Sequence, residues 1–167
     1  MTNKENKLCI SRRSFLLAGS TVVTMVTMPG FAAAFNVKKY PRQRIASLSE
    51  VNSGEAINFQ YPKNDPYGTN VLVKLNEKAG KGVGVDEDIV AFNQLCTHMG
   101  GPLVGTYKKE HKVLGPCPFH LTTFDLTRHG MVVSGHATDS LPQIMLEIDG
   151  DDIYAVGIMG LIYGHKS

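Results

Sequence analysis

Cys96-Thr97-His98-Met99-Gly100-Gly101-Pro102-Leu103 and Gly115-Pro116-Cys117-Pro118-Phe119-His120 decide how this chain reads. Taken as donors they spell C-x-H, then eighteen intervening residues (99 to 116), then C-x-x-H. Each half offers one thiolate and one imidazole, with Gly and Pro close by. Gly reaches backbone angles that tight loops need, and Pro stiffens a loop at low entropic cost. Two loops of this kind can each present one Cys and one His toward a common point.

The spacing discriminates between metals. Structural zinc usually draws on C-x₂₋₄-C dyads, and a C-x-H dyad places its two side chains poorly for one shared ion. A two-iron cluster suits it better, with Cys on one iron and His on the other. Zinc and unliganded core residues stand as the alternatives. The charge arithmetic shows what two imidazoles achieve. A ferric pair with two sulfides is formally +2, so two thiolates bring the oxidised site to 0 and the reduced site to −1, whereas four thiolates give −2 and −3. An added electron therefore costs less, and such centres lie at roughly −150 to +300 mV against about −400 mV for four-Cys ferredoxins.

Working outward, Ile89-Val90-Ala91-Phe92-Asn93 reads as the strand that delivers the first loop, and Thr123-Phe124-Asp125 leads out of the second. Between the loops, Thr106–Lys112 is a charged hairpin tip carrying His111, read as an exposed histidine. Upstream, Asn64-Asp65-Pro66-Tyr67-Gly68 has turn chemistry. Val71, Val73 and Leu75 then alternate with Leu72 and Lys74, predicting a strand with one face toward the core. Asn76 to Asp88, centred on Gly80-Lys81-Gly82-Val83-Gly84, lacks a full phosphate-binding pattern and reads as a mobile hairpin loop. Met131–Ser134, Gln143–Ile148 and Ile153–Met159 are further strands, the last two joined by the turn Asp149-Gly150-Asp151. Short alternating runs divided by turn residues make the fold class all-β. His129, His136 and His165 lack motif partners and read as surface or loop histidines.

The first 34 residues differ in kind. Ser11-Arg12-Arg13-Ser14-Phe15-Leu16-Leu17 resembles a twin-arginine export signal, followed by an apolar stretch, a Pro29-Gly30 break and the small residues Ala32-Ala33-Ala34. Phe15–Phe35 is uncharged and about long enough to span a membrane as a retained anchor, since a spanning helix needs about 20 apolar residues. The Pro-Gly break favours cleavage after Ala34. The expected organisation is a signal peptide at 1–34 and one domain at 35–167, with a cluster-binding subdomain at about 93–126. The expected location is the periplasm, with membrane association if the leader stays. Without the leader the chain carries 13 Lys/Arg and 14 Asp/Glu, which gives no basic face for a nucleic-acid partner. Of three cysteines, Cys9 falls in the leader, leaving Cys96 and Cys117. In an exported protein two thiols ordinarily suggest a disulfide; a His at motif spacing beside each favours metal.

On both loops, the chain from about Ile45 to Ile162 resembles the Rieske family. The run Cys96–Gly100 with Pro102-Leu103, the twin-arginine leader and Gly135-His136-Ala137-Thr138-Asp139-Ser140-Leu141-Pro142-Gln143 give it the look of the small, Rieske subunits of arsenite oxidases. The resemblance implies stacked antiparallel sheets with a small two-loop subdomain holding a Rieske [2Fe–2S] cluster. It implies Cys96 and Cys117 on the buried iron and His98 and His120 on the outer one. It further implies a non-catalytic subunit of an oxidoreductase, in a heterodimer with a large molybdopterin subunit that converts arsenite to arsenate. Electrons would pass on to a cytochrome c or a small copper protein. The Rieske subunit of a membrane quinol-oxidising cytochrome bc complex is the alternative.

Two departures from the wider family stand out. Many members join the loops by a disulfide at positions matching Gly101 and Phe119, and neither is Cys here. Packing of Phe119 and the prolines must replace a bridge that typically contributes ~2–4 kcal/mol. Quinol-oxidising members often place Ser and Tyr hydroxyls on the cluster sulfurs, where this chain has Thr122 and Phe124. The loop Ser134–Pro142 matches the family's third, proline-containing loop and is expected to pack over the cluster.

Overall fold

A computed structural model describes residues 40–165. Residues 1–34, read from the sequence as an export leader that is cleaved or kept as an anchor, lie outside the described residues. Ten strands follow in order: β1 (Gln43–Ser47), β2 (Ala56–Gln60), β3 (Thr69–Lys74), β4 (Ile89–Asn93), β5 (Tyr107–Lys108), β6 (Val113–Leu114), β7 (Thr123–Asp125), β8 (Met131–Ser134), β9 (Gln143–Asp149) and β10 (Asp152–Met159). A short 3₁₀ turn, Leu48–Glu50, follows β1. The strands form a six-stranded sheet ordered β1-β10-β9-β4-β3-β2 and a four-stranded sheet ordered β5-β6-β7-β8. Every pairing between named strands is antiparallel, so the all-β, two-sheet expectation holds.

The central strands differ from the reading of one buried face. In β3, Val71, Leu72 and Val73 are all fully buried, and β4 is buried along its whole length. Period-2 geometry sends neighbouring side chains to opposite faces, and here both faces have cover. Val71, Val73, Val90 and Phe92 pack with Leu103, Leu114, Phe124 and Leu126 of the small-sheet region. Leu72, Ile89 and Ala91 face a second core with Ala46, Ile144, Ile153 and Ala155. The site thus grows from the shared wall of two cores. Edge strands β1 and β2, half exposed and mixed in polarity, are the elements sequence reading passed over.

Asn76 to Asp88 also departs from expectation. Instead of a free hairpin it is tied down at several points: Leu75 N–H donates to Asp88 O (2.9 Å), Ala79 N–H to Glu87 O (2.9 Å) and Gly80 N–H to Thr127 O (2.8 Å). Gln143 Nε2 donates to Gly80 O at 2.7 Å, and its Oε1 meets His129 Nδ1 at 3.0 Å. The loop therefore bolts the small sheet to β9. Gly80 leaves room for the His129 ring, since a Cβ there would fall 2.4 Å from His129 Nε2 and push that ring aside.

Candidate metal centre

The loop after β4 and the loop between β6 and β7 share one backbone device. Cys96 N–H donates to Gly101 O (2.9 Å) and Gly100 N–H to Cys96 O (2.8 Å). Twenty-one positions on, Cys117 N–H donates to Thr122 O (2.8 Å) and Leu121 N–H to Cys117 O (2.8 Å). Closing a six-residue ring this way needs a left-handed residue at the fifth position, and Gly100 (φ 68°) and Leu121 (φ 59°) provide it. Gly bears that angle without penalty, whereas a residue with a Cβ pays roughly 1–2 kcal/mol.

These rings bring the four sequence-picked donors together. Cys96 and Cys117 are both 1% exposed and unbridged. The His98 and His120 rings lie 4.7 Å apart, edge to face at 82°, with His120 exposed. His98 Nδ1 is buried and has no hydrogen-bond partner. A buried imidazole nitrogen without a partner is costly, and a metal ion is what would satisfy it. Burial pushes the Cys96 thiol up; the neighbouring Cys117 adds to this, while the His98 N–H and the Thr122 hydroxyl pull it back. An adjacent cation removes such a penalty, because a coordinating thiol is deprotonated. Among the described residues, no three His, Cys, Asp or Glu side chains are arranged to hold a single ion. Zinc would need four donors around one point, whereas a two-iron cluster separates its sulfur pair from its nitrogen pair. The donor set therefore fits the cluster.

A third loop, Ser134–Pro142, ties both rings together. His136 and Ala137 N–H groups donate to Thr122 Oγ1 at 3.1 and 3.4 Å, and Thr97 Oγ1 donates to Asp139 O at 2.8 Å. Gly135 (φ 102°) approaches so closely that a Cβ would lie 2.3 Å from Thr122 Cα. His136 is more than a loop histidine: its ring stacks 5.8 Å from His98 and stands 6.0 Å from His120, edge-on. The remaining histidines stay apart. His111 is exposed at its hairpin tip, His129 faces Gln143, and His165 sits edge-on to Tyr67.

Where the family disulfide would run, Phe119 lies against Gly101. A Cβ on Gly101 would fall 2.6 Å from Cys117 Sγ and 3.1 Å from Phe119 Cδ2. Phe124, at the position matching the family's tyrosine, is fully buried in the core beneath the loops.

Residues 42–145 match the Rieske [2Fe-2S] domain, and the chain belongs to that family and carries a Rieske cluster. It is 62% identical over 164 residues to the iodate reductase subunit IdrB of Denitromonas iodatirespirans, covering 96% of this chain and 88% of that one. The subunit of the same name from Pseudomonas sp. strain SCT is 61% identical over 166 residues, covering 96% and 85%. Among solved structures, the soluble domain of Rieske protein II (soxF) from Sulfolobus acidocaldarius superposes with a TM-score of 0.61 at 27% identity, over 71% of this chain and 78% of that one. The chain is a Rieske subunit of an oxidoreductase.

Proposed function

We propose that this chain is the electron-transfer subunit of a periplasmic oxidoreductase that reduces iodate, feeding electrons one at a time to a large molybdopterin partner subunit. The observation that carries the reading is the near full-length identity, above 60%, to two iodate reductase subunits. Cys96 and Cys117 hold the inner iron, because both are sealed from solvent; His98 and His120 hold the outer one, because one ring edge of that pair reaches the surface. A Rieske centre supplies a one-electron store. Taking iodate to iodide, IO₃⁻ + 6 H⁺ + 6 e⁻ → I⁻ + 3 H₂O, would load and empty that store six times. The donor is a cytochrome c or a small copper protein, and export follows the twin-arginine leader.

A second reading is supported by Cys96–Gly100 with Pro102-Leu103 and by Gly135–Gln143, which resemble the arsenite oxidase small subunit. In it the current reverses: arsenite gives up two electrons at the partner, and the same cytochrome or copper protein becomes the acceptor. Purified native complex separates the two. Iodate added to the dithionite-reduced complex should bleach the reduced-cluster paramagnetic signal, and arsenite added to the oxidised complex should leave it silent. Reduction by arsenite would replace the first reading with the second. Response to neither would sink both. A mature protein that needs detergent to stay in solution would point instead to the membrane cytochrome bc alternative.

A further inference from the structure

The segment after β10 crosses the first ligand loop. Gly160 (φ 99°) packs on Pro142, where a Cβ would lie 3.4 Å from Pro142 Cα, and Ile162 turns into the interior at 8% exposed. Tyr163 then covers Gly100: a Cβ on that glycine would fall 2.6 Å from Tyr163 Cδ1 and 2.8 Å from Cε1. Beyond it, the Tyr67 ring lies under Gly164, and His165 stands edge-on to Tyr67 with centroids 6.3 Å apart. The segment thus touches the third loop, the first ligand ring and the Asn64–Gly68 turn in succession. Beside it runs a groove of about 440 Å³ lined in part by Thr97, Asp139 and Leu161.

Gly100 is therefore needed twice, for its left-handed angle and for the space the tyrosine ring fills. Its neighbour Gly101 is pressed by Phe119 and Cys117 Sγ. Consecutive glycines of the His98 loop are thus each clamped by an aromatic ring. The second ring has no counterpart: its left-handed residue, Leu121, is 66% exposed. No disulfide joins the loops, so these contacts act with the Thr97–Asp139 bond and the His136 stack to place His98. The geometry points to Tyr163 as a positioning residue that fixes the first ligand loop, and through it the His98 side of the cluster, in place of the covalent link. This rests on the ligand assignment proposed above.

The test uses the full chain with its cluster. Tyr163→Ala should raise the reduction potential measured by voltammetry, since water reaching the loop favours the more negatively charged reduced state. It should also shift the paramagnetic g-values and bleach about tenfold faster on dilution into chelator, as lost supporting contacts around metal ligands typically do. Tyr163→Phe should restore all three, because a ring and not a hydroxyl covers Gly100. Tyr67→Ala, which loosens the segment without touching the loop, should move them the same way by less. Tyr163→Leu serves if the alanine variant does not fold. A variant whose melting temperature falls while potential and g-values stay put would overturn the inference, as would failure of Phe to rescue. Absence of a Rieske signal in the unmutated protein would strike the ligand assignment instead.

Discussion

The two ligand rings are built on the same hydrogen bonds and held by different means. The first closes on Gly100-Gly101, is covered by aromatic side chains and makes one polar contact with the third loop through Thr97; the second closes on Leu121-Thr122 and takes two N–H groups from that loop. A backbone device can thus be repeated while its support is not. What each ring tolerates depends on its neighbours, and this makes the pair a natural control for itself.

The sharpest break should come at Gly101. Gly101→Ala puts a methyl 2.6 Å from Cys117 Sγ and 3.1 Å from Phe119 Cδ2, so the second loop must give way. We expect a shifted reduced-state paramagnetic spectrum and a lower melting temperature; a spectrum and melting temperature equal to the parent's would show that the rings are not pressed together as described. Next is Thr122→Val, which leaves the His136 and Ala137 N–H groups without their acceptor and deprives Cys96 of a hydroxyl. Ala137 is buried, and stranding a buried donor costs ~1–3 kcal/mol. Denaturant unfolding should register the loss, and voltammetry a lower potential, with Thr122→Ser close to the parent protein.

Phe124→Tyr should raise the potential, because a restored hydroxyl near the cluster sulfurs stabilises the reduced, negative state. A redox titration showing no change, or a drop, would count against the account of the missing donor. The smallest effect belongs to Leu121→Gly. Relief of a left-handed residue, roughly 1–2 kcal/mol, is set against the entropy of glycine, roughly 0.5–1 kcal/mol. Stability should hold or rise by up to ~1 kcal/mol in denaturant melts, whereas Gly100→Ala, displacing Tyr163, should lower it. If both substitutions cost the same, the difference between the two rings is not one of support.

Much of this site was legible because its information is local. A donor pair and the glycines or prolines of its loop sit within eight residues, so Cys96, His98, Cys117 and His120 could be picked by spacing, as could strands β4, β9 and β10. What was missed is carried by contacts between distant segments. Leu72 gave no sign that its face of β3 would be buried, since its cover comes from β1, β9 and β10. Gly80 looked like part of a free loop because Thr127 and Gln143, which hold it, lie 47 and 63 positions away. His136 was singled out only through its loop, and Tyr163 has no motif around it.

The tie of Gly80 to Thr127 and Gln143 has a consequence for how electrons move. It fastens the sheet beneath the cluster rings to the larger sheet through backbone and side-chain hydrogen bonds. Motion of the rings against the larger sheet would have to break those bonds. Within 40–165, a redox partner docking on the rings therefore meets the larger sheet in a fixed relation to them.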